Sequence, residues 1–414
     1  CPPGLVSYVS NEINKFRNIL PKSFKHKFYR ISYISFANRL SGKTKWEIGP
    51  HKGKLIKDNS DNRLLENSLV VIDEVHNIHS NDTAIKNAFN IIYKSIRQCK
   101  NIKILTLTGT PIKREPYEIG RVINLLKSYD SGDDLPEDKT TFNEKYFIVD
   151  DTTQIPTLRK DNIGEFFNSI KGYISFRNIE NDYNIFAKKI DMDKQIVTMS
   201  NLQSKQYNKN ISNCDNNKCL QNSRISNIVN GYQIPKEFRK IMDNLNKYSP
   251  KLELLYQNIE KHQQSKHFIY SYHQAHGVRI VKELLLYKGW KQIDRRIISK
   301  CFKNGNDIFK NDFKLEMNLD FINEFMRFSK NNFLVLDSYT SSKKIEILAQ
   351  QLYNLPINKN GDFIRIFLVN RRYKEGISLL DTNYVHILEP PINMSDKNQI
   401  IGRVIRYCSH NRLP

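Results

Sequence analysis

The chain of 414 residues lacks long apolar runs and lacks a regular cysteine pattern. No stretch approaches the ~18 consecutive apolar residues of a transmembrane helix, so we expect no membrane span. The six cysteines are scattered, which excludes a disulfide framework and favours a reducing, intracellular compartment. Cys214 and Cys219 form a close pair without a second one, so we interpret them as unpaired thiols rather than a zinc site.

Acidic residues are also scarce relative to basic ones, with 43 Asp and Glu against 65 Lys and Arg, a net charge of +22. A positive excess of this size indicates an anionic partner, most often nucleic acid. A general solubility bias without nucleic acid is the alternative interpretation. The length suits two or three domains rather than one.

Several apolar runs are bounded by polar, Gly or Pro residues, which predicts buried strands. These runs cover residues 28–36, 68–73, 102–109, 267–272, 333–338, 363–370 and 383–390. The segments 69–72, 333–336 and 366–369 are continuously apolar, as in a parallel sheet that is covered on both faces.

Helical periodicity separates these strands at residues 83–99, 277–290 and 342–356. Strands that alternate with helices predict an α/β fold with parallel sheets. Because the strand signals fall before about residue 130 and after about residue 265, we predict two domains. We place them at residues 1–187 and 188–414, with polar insertions between and within them.

The strongest chemical signal is "SLVVIDEVHNI" at residues 68–78, where a strand ends in two carboxylates. Ligands of open α/β sheets bind at the carboxyl ends of strands, and nucleotide hydrolysis uses such acids. We expect Asp73 to hold a Mg²⁺ ion through water, and Glu74 to orient and deprotonate the attacking water. His76 would relay contact to the next motif. A strand that ends in a solvated acidic turn is the alternative.

The next apolar run, "ILTLTGTPI" at residues 104–112, ends in small and hydroxyl residues. Thr108, Gly109 and Thr110 allow close approach to a neighbouring loop. We expect them to sense the γ-phosphate and to pass that information on.

Near the end of the sequence, Gln399, Gly402, Arg403 and Arg406 follow a Q-x-x-G-R-x-x-R spacing. On a helix, the glutamine and both arginines would share one face. An arginine from a second domain can stabilise the charge that develops in phosphoryl transfer. A basic amphipathic helix on solvent or nucleic acid is the alternative.

A turn that contains Gly376 follows the predicted strand 363–370. Three basic residues crowd this turn, namely Arg371, Arg372 and Lys374. We expect them to meet a nucleic-acid backbone or the nucleotide.

In this order, the four signals resemble motifs II, III, V and VI of superfamily 2 helicases and translocases. "KHFIYSYHQAHGVRIVKELL" (266–285) is similar to motif IV and its helix. "FYRISYISFANRL", "MSNLQSKQY" and "QIIGRVIRYCSH" resemble the branch of poxvirus nucleoside triphosphatase I and the early transcription factor small subunit. That branch has counterparts in other large DNA viruses.

The resemblance implies two RecA-like domains with ATP in the cleft between them and nucleic acid across both, DNA rather than RNA. It implies an ATP hydrolase of viral transcription, with RNA polymerase or other transcription factors as partners and the virion and host cytoplasm as its location. Asp73 and Glu74 would act from the first domain, and Arg403 and Arg406 from the second. Two alternatives stay open: a non-catalytic DNA-binding transcription-factor subunit, and an RNA helicase of another branch.

"LSGKTKW" (40–46) contains Gly42, Lys43 and Thr44, as a phosphate-binding loop does. The loop pattern requires Gly where this chain has Ala37. A helix should begin after the Thr, yet "GPHKGK" follows. We therefore expect Lys43 to be a surface or DNA-facing residue, the true loop to precede Cys1, and this fragment to be inactive alone.

Overall fold

The computed structural model divides the chain into two compact units, Cys1–Arg177 and Asn178–Pro414. The predicted domain boundary after residue 187 stays a prediction. The structure describes residues 31–41, 43–46, 55–57, 65–80, 82–99, 101–112, 115–127, 132–149, 156–176, 183, 186–190, 195–211, 219–229, 238–303, 316–337, 342–374, 376–391 and 393–413. No helix in these segments is both long and apolar enough to cross a membrane.

The first unit is built around two parallel strands, β3 and β4, which pair so that Asp73 lies opposite Leu107. Two antiparallel pairs, β1 with β2 and β5 with β6, lie outside this sheet. In chain order its elements are α1 (Tyr33–Leu40), β1 (Lys43–Trp46), β2 (Leu55–Lys57), β3 (Ser68–Asp73), a 3₁₀ turn (Val75–His79), α2 (Thr83–Arg97), β4 (Ile102–Leu107), α3 (Glu118–Leu126), α4 (Lys139–Tyr146), β5 (Phe147–Val149), β6 (Pro156–Leu158) and α5 (Ile163–Ile170).

Helix α2 carries an apolar stripe that packs in the core of this unit. Ala88, Phe89, Ile92 and Ile96 recur at helical spacing and are all buried in one cluster with Ile72 of β3. The helix begins where the Asp82 side chain accepts hydrogen bonds from two backbone N–H groups. Burial of each large side chain contributes about 1.5–3 kcal/mol.

The strand predicted over residues 28–36 is wrong in its described part, because α1 begins at Tyr33. Tyr33, Ala37 and Leu40 are buried on one face, and Ser32 caps the helix by accepting from Ser35 N. The Tyr33 ring packs on Phe89 at 4.4 Å between centroids. The apolar run in this segment predicts a strand, but packing against α2 selects the helical period.

The expectation that residues 69–72 are covered on both faces is also wrong among the described residues. Strand β3 alternates, with Leu69 and Val71 exposed at 62% and 49%. Leu105 and Leu107 of β4 are exposed in the same way. Because side chains alternate between the faces of a strand, the described part of the unit covers one face of this sheet only.

The second unit contains a five-stranded parallel sheet in the order β11-β7-β10-β9-β8. Its strands are β7 (His267–Ser271), β8 (Lys291–Gln292), β9 (Asn332–Leu336), β10 (Ile366–Asn370) and β11 (Tyr384–Ile387). Its helices are α6 (Asn201–Ile211), α7 (Cys219–Asn227), α8 (Phe238–Asp243), α9 (Leu245–Tyr248), α10 (Pro250–Lys261), α11 (Arg279–Tyr287), α12 (Arg295–Lys300), α13 (Leu319–Phe328), α14 (Lys343–Tyr353) and α15 (Met394–Ile401).

Strands β7, β9 and β10 are buried at every residue, because helices cover both faces of this sheet. Phe367 and Leu352 belong to the cluster on one face, and Leu368 and Leu284 to the cluster on the other. The predicted strands of this unit and the α/β fold with parallel sheets are therefore confirmed. All five strands end at the same edge of the sheet.

A buried imidazole, His267, lies at the amino end of β7. His267 Nε2 donates to the carbonyl of His262 at 3.2 Å, so Nδ1 accepts from His386 Nε2 at 3.0 Å. Burial lowers the pKa of His267 to about 4. The neutral ring therefore stabilises the fold above the unfolded pKa of about 6.5, and this stability is lost as the pH falls toward 4.

We predict that the free energy of unfolding falls by about 1.4 kcal/mol per pH unit from this one group between about pH 6 and pH 4. The change His267→Phe should reduce this pH dependence by that amount in urea denaturation, while His386, whose pKa is also lowered by burial, keeps its own contribution. Tyr384→Phe, in a ring that stacks on His267 at 5.1 Å, is the matched control and should leave the slope unchanged. An unaltered slope in His267→Phe contradicts the prediction.

Candidate active site

The predicted acids lie at the carboxyl end of β3, where the backbone changes direction sharply. β3 ends at Asp73, and Glu74 has φ 53° and ψ 48°, a left-handed conformation. For a residue with a Cβ this conformation costs about 1–2 kcal/mol. The Tyr33 hydroxyl donates to the Asp73 carbonyl and lies 3.4 Å from that of Glu74. Helix α1 therefore holds the two acidic residues in place.

Tyr33 was not expected at this site. Its contact with the acidic turn joins residues 40 positions apart, and the sequence predicts a strand around it. Helical spacing of Tyr33, Ala37 and Leu40 is the signal in the sequence that could have placed it on a helix.

In the structure, the acidic turn after β3 and the threonines after β4 both contact His76. This buried imidazole has Nδ1 at 2.9 Å from Thr108 Oγ1 and 3.2 Å from Thr110 Oγ1. The same nitrogen lies 3.2 Å from Glu74 Oε2. Parallel pairing of β3 with β4 places both strand ends side by side, so the contact follows from the sheet. We name Glu74, His76, Thr108 and Thr110 the strand-end junction.

Gly109 lies within this turn, but close approach of a neighbour does not explain it. A Cβ built at Gly109 meets no atom of the described structure within 4 Å. The predicted close approach of a neighbouring loop to Gly109 is therefore not found in the described structure. Thr110 N donates to Thr108 Oγ1 at 3.0 Å, which closes the turn locally.

In the second unit, the two candidate arginines lie beyond the end of α15. The prediction that they share a helical face with Gln399 is wrong, because α15 ends at Ile401 with Gly402 as its C-cap. Arg403 Nε donates to the Gln399 carbonyl at 3.1 Å, and Arg406 Nε donates to the Gly402 carbonyl at 2.8 Å. Each arginine side chain thus contacts the backbone carbonyl four residues earlier in the chain, at the end of the helix.

The turn after β10 approaches the same arginines. Gly376 has φ 85°, which favours glycine over other residues. The next carbonyl, of Ile377, lies 3.5 Å from Arg403 Nη1, and Leu379 N donates to the Arg403 carbonyl at 2.9 Å. Gly376, Gln399, Gly402, Arg403 and Arg406 therefore form one region of the second unit.

The basic residues after β10 are placed differently from one another. Arg371 is exposed and donates from Nη1 to the Tyr272 hydroxyl at 2.8 Å. Arg372 is half exposed and lies 3.7 Å from Glu346 Oε1. The backbone of Lys374 closes the turn Arg371–Lys374, and its side chain lies outside the described atoms.

The Gly-Lys-Thr sequence lies in an antiparallel pair. Lys43 and Thr44 belong to β1, which pairs with β2, and Gly42 lies outside the described residues. A phosphate-binding loop is followed by a helix whose N-terminus faces the phosphates. A strand at this position lacks that geometry.

Comparison with known proteins gives viral relatives, while no family model matches the chain. A termination factor NPH-I homologue of African swine fever virus is 27% identical over 399 residues, covering 84% of this chain and 54% of the relative. A protein of Acanthamoeba polyphaga mimivirus, named as an ATP-dependent RNA helicase, is 28% identical over 385 residues, covering 86% of this chain and 59% of the relative. The early transcription factor 70 kDa subunit of Yaba monkey tumor virus is 24% identical over 375 residues, covering 83% and 52%.

The resemblance to viral helicases and transcription factors is confirmed. The chain spans about half the length of the curated relatives that it matches. Among solved structures, it is similar to the helicase domain of Pyrococcus furiosus Hef, with 13% identity and a TM-score of 0.33 over 97% of this chain and 82% of that one.

We predict that Thr108→Val destabilises the protein by about 1 kcal/mol, because the valine keeps the shape and loses the hydrogen bond to buried His76. Urea denaturation measures this difference. Thr157→Val, at an exposed threonine of the same unit, is the control and should change stability by less than about 0.5 kcal/mol. Equal stability of Thr108→Val and the unaltered protein would show that the contact between Thr108 and His76 contributes nothing.

Proposed function

We propose that the protein containing this chain is a nucleic-acid-dependent ATPase, a helicase or translocase that serves viral transcription in the virion and host cytoplasm. The strand-end junction is the observation that carries this proposal, because it links a carboxylate suited to water activation with the end of the neighbouring strand. The viral relatives support it, since their names include a helicase, a termination factor and a transcription factor. We propose RecA-like domains at residues 1–187 and 188–414.

The acids of the first unit fit a magnesium-assisted hydrolysis of ATP. Among the described residues, no group of three or more His, Cys, Asp or Glu could enclose a metal ion. Mg²⁺ at a nucleotide needs no such enclosure, because one or two carboxylates, the phosphates and water hold it. Asp73 would hold the ion through water, and the ion would neutralise charge on the phosphates.

Glu74 is the proposed base in this scheme. Its side chain is 23% exposed, so water can reach the carboxylate, while the contact with His76 fixes its position. His76, Thr108, Gly109 and Thr110 would couple this base to the neighbouring strand end. A change at the phosphates would then alter the strand-end junction.

The second unit contributes positive charge. Arg403 and Arg406 each use Nε for a backbone carbonyl, which fixes the direction of the guanidinium groups before ATP arrives. We propose that they stabilise the charge of the transferred phosphoryl group. Gly376, Gln399 and Gly402 would set their position, since the contacts around Arg403 come from these segments.

Nucleic acid is the proposed partner of the basic surface. The net charge is +22, and Arg371 and Arg372 are exposed immediately after β10. With Lys374 they would contact the phosphate backbone of DNA, in preference to RNA. RNA polymerase or other transcription factors are the proposed protein partners, on the strength of the relatives' names.

We predict that Glu74→Gln in the gene product that contains this chain lowers the rate of ATP hydrolysis by about 100- to 10,000-fold, because the amide cannot take a proton. ATP binding, followed with a fluorescent analogue, should persist. Asp82→Asn, at the helix cap of α2, is a control that should retain hydrolysis. Normal turnover by Glu74→Gln would contradict the mechanism and favour a binding subunit.

We predict that the affinity of residues 1–414 for a 20-nucleotide DNA falls roughly 10-fold or more between 50 and 200 mM salt, because bound cations are released. Changing Arg371 and Arg372 to Gln should remove one to two phosphate contacts. Each lost contact should lower the slope of log Kd against log salt concentration by about 0.7 for a single strand. Lys303→Gln, at an exposed lysine paired with Glu316, is the control. An unchanged slope in the double variant would exclude these arginines as contacts.

A further inference from the structure

Two residues that the proposed function does not use, Tyr272 and Glu389, lie with Arg371 at the carboxyl edge of the second sheet. Tyr272 follows β7, Arg371 follows β10, and Glu389 comes two residues after β11. The strands β11, β7 and β10 are neighbours in the sheet and run parallel. Their ends therefore lie side by side, at the edge where open α/β sheets bind ligands.

Tyr272 and Arg371 form a stacked pair at this edge. The guanidinium carbon lies 5.0 Å from the centre of the tyrosine ring, and Nη1 donates to its hydroxyl at 2.8 Å. Tyr272 is half-buried and Arg371 is exposed, so both can meet a ligand. A planar aromatic ring beside a planar cation suits a ligand that carries both a flat base and a phosphate.

The backbone of Tyr272 is held by a buried carboxylate. Glu389 is 4% exposed, and its Oε2 accepts from Tyr272 N at 2.7 Å. Its Oε1 accepts from Ser271 Oγ at 2.7 Å and from Asn227 Nδ2. A carboxylate placed here without partners would be costly, so these three donors keep Glu389 in one position and Tyr272 with it.

A partly buried lysine balances this carboxylate through Asn227. Lys251 Nζ donates to Asn227 Oδ1 at 2.9 Å and to the Leu388 carbonyl at 3.1 Å. Burial lowers the pKa of Lys251, and the charge of Glu389 acts in the opposite direction. The negative charge of Glu389 is therefore compensated inside the unit and does not repel an anionic ligand at the surface.

The segment after Tyr272 adds a second link between the same two strand ends. Asn370 Nδ2 donates to Gln274 Oε1 at 2.6 Å, at the start of a π-helical turn, Gln274–Val278. Within this turn, a Cβ built at Gly277 would lie 1.8 Å from Ser271 Oγ. The turn thus packs directly on β7, and the exposed Tyr272–Arg371 pair lies on a tightly packed support.

We propose that Tyr272 stacks on a base of single-stranded nucleic acid while Arg371 contacts an adjacent phosphate, and that Glu389 is the positioning residue for Tyr272. This inference rests on the proposed function and adds a base-stacking role for Tyr272 and a positioning role for Glu389. A single strand is the ligand because its bases are free to stack, whereas those of a duplex are stacked on one another. Stacking on an aromatic ring tolerates any base, which suits a protein that moves along a strand.

The first test compares Tyr272→Ala with Tyr272→Phe in residues 1–414, by fluorescence anisotropy with labelled 20-nucleotide oligo(dT) and oligo(rU). Loss of the ring should weaken binding by roughly 5- to 150-fold, and Tyr272→Phe should bind nearly as well as the unaltered protein. Phe328→Ala is the control, since this ring is 84% exposed and precedes the amino end of β9, at the opposite edge of the sheet. Binding to a blunt duplex should not change in any of the three variants.

The second test asks whether the losses of affinity caused by substitutions at Glu389 and Tyr272 are additive. In Glu389→Gln, the amide NH₂ must face either Tyr272 N–H or Asn227 Nδ2, so the segment shifts and binding of the single strand weakens. The double variant Tyr272→Ala/Glu389→Gln should bind no more weakly than Tyr272→Ala alone, because Glu389 acts through the ring. Glu316→Gln is the matched control, since it makes the same change at an exposed glutamate that is paired with Lys303. If Glu389→Gln does not fold, Glu389→Asp replaces it in the same cycle.

The outcomes separate this inference from the proposed function. Unchanged single-strand affinity in Tyr272→Ala overturns the stacking contact while the ATPase proposal stands. Additive losses in the double variant overturn the role of Glu389 as a positioning residue. If the unaltered chain binds neither oligonucleotide, both the contact and the nucleic-acid part of the proposed function fail.

Discussion

Parallel pairing of strands is the constraint on which the candidate sites depend. It brings the carboxyl ends of neighbouring strands to one edge, so residues far apart in sequence meet without a dedicated scaffold. In the first unit, pairing of Asp73 with Leu107 places His76 beside Thr108. In the second, pairing of β7 with β10 and β11 places Tyr272 beside Arg371 and above Glu389. Helices that cover both faces of the second sheet make its edge the accessible part.

Buried charge in the second unit is compensated locally, which keeps the strand ends rigid. Glu389 and Lys251 share Asn227 as an intermediate. At the opposite edge, Lys266 is fully buried, donates to the carbonyls of Tyr353 and Leu380, and has its pKa lowered to about 7 by burial. An unpaired buried charge costs several kcal/mol, so each pairing fixes one arrangement of its segments. A surface that recognises a ligand needs such fixed support more than it needs additional contacts.

Much of the fold could be predicted from the sequence because continuous apolar runs in a parallel sheet are distinctive. Strands β7, β9 and β10 were predicted for this reason. The helix at Tyr33–Leu40 is predicted as a strand, because a short apolar segment fits both a strand and a helix. Only the packing of Tyr33 on Phe89 selects the helix. Glu389 was not predicted, because a single carboxylate after a strand gains its role from Ser271, 118 residues away. Arg403 and Arg406 were predicted by spacing, although the helix ends before them.

The proposed roles divide charge between the units. The first holds its carboxylates at a left-handed residue, Glu74, and the second holds Arg403 and Arg406 on carbonyls at the end of a helix. Neither described unit contains both an acid suited to water activation and arginines suited to the phosphoryl group. Under the proposed function, hydrolysis would need groups from both units, whereas the proposed stacking on Tyr272 would need the second alone. The proposals therefore predict that substitutions can separate binding of a strand from turnover of ATP.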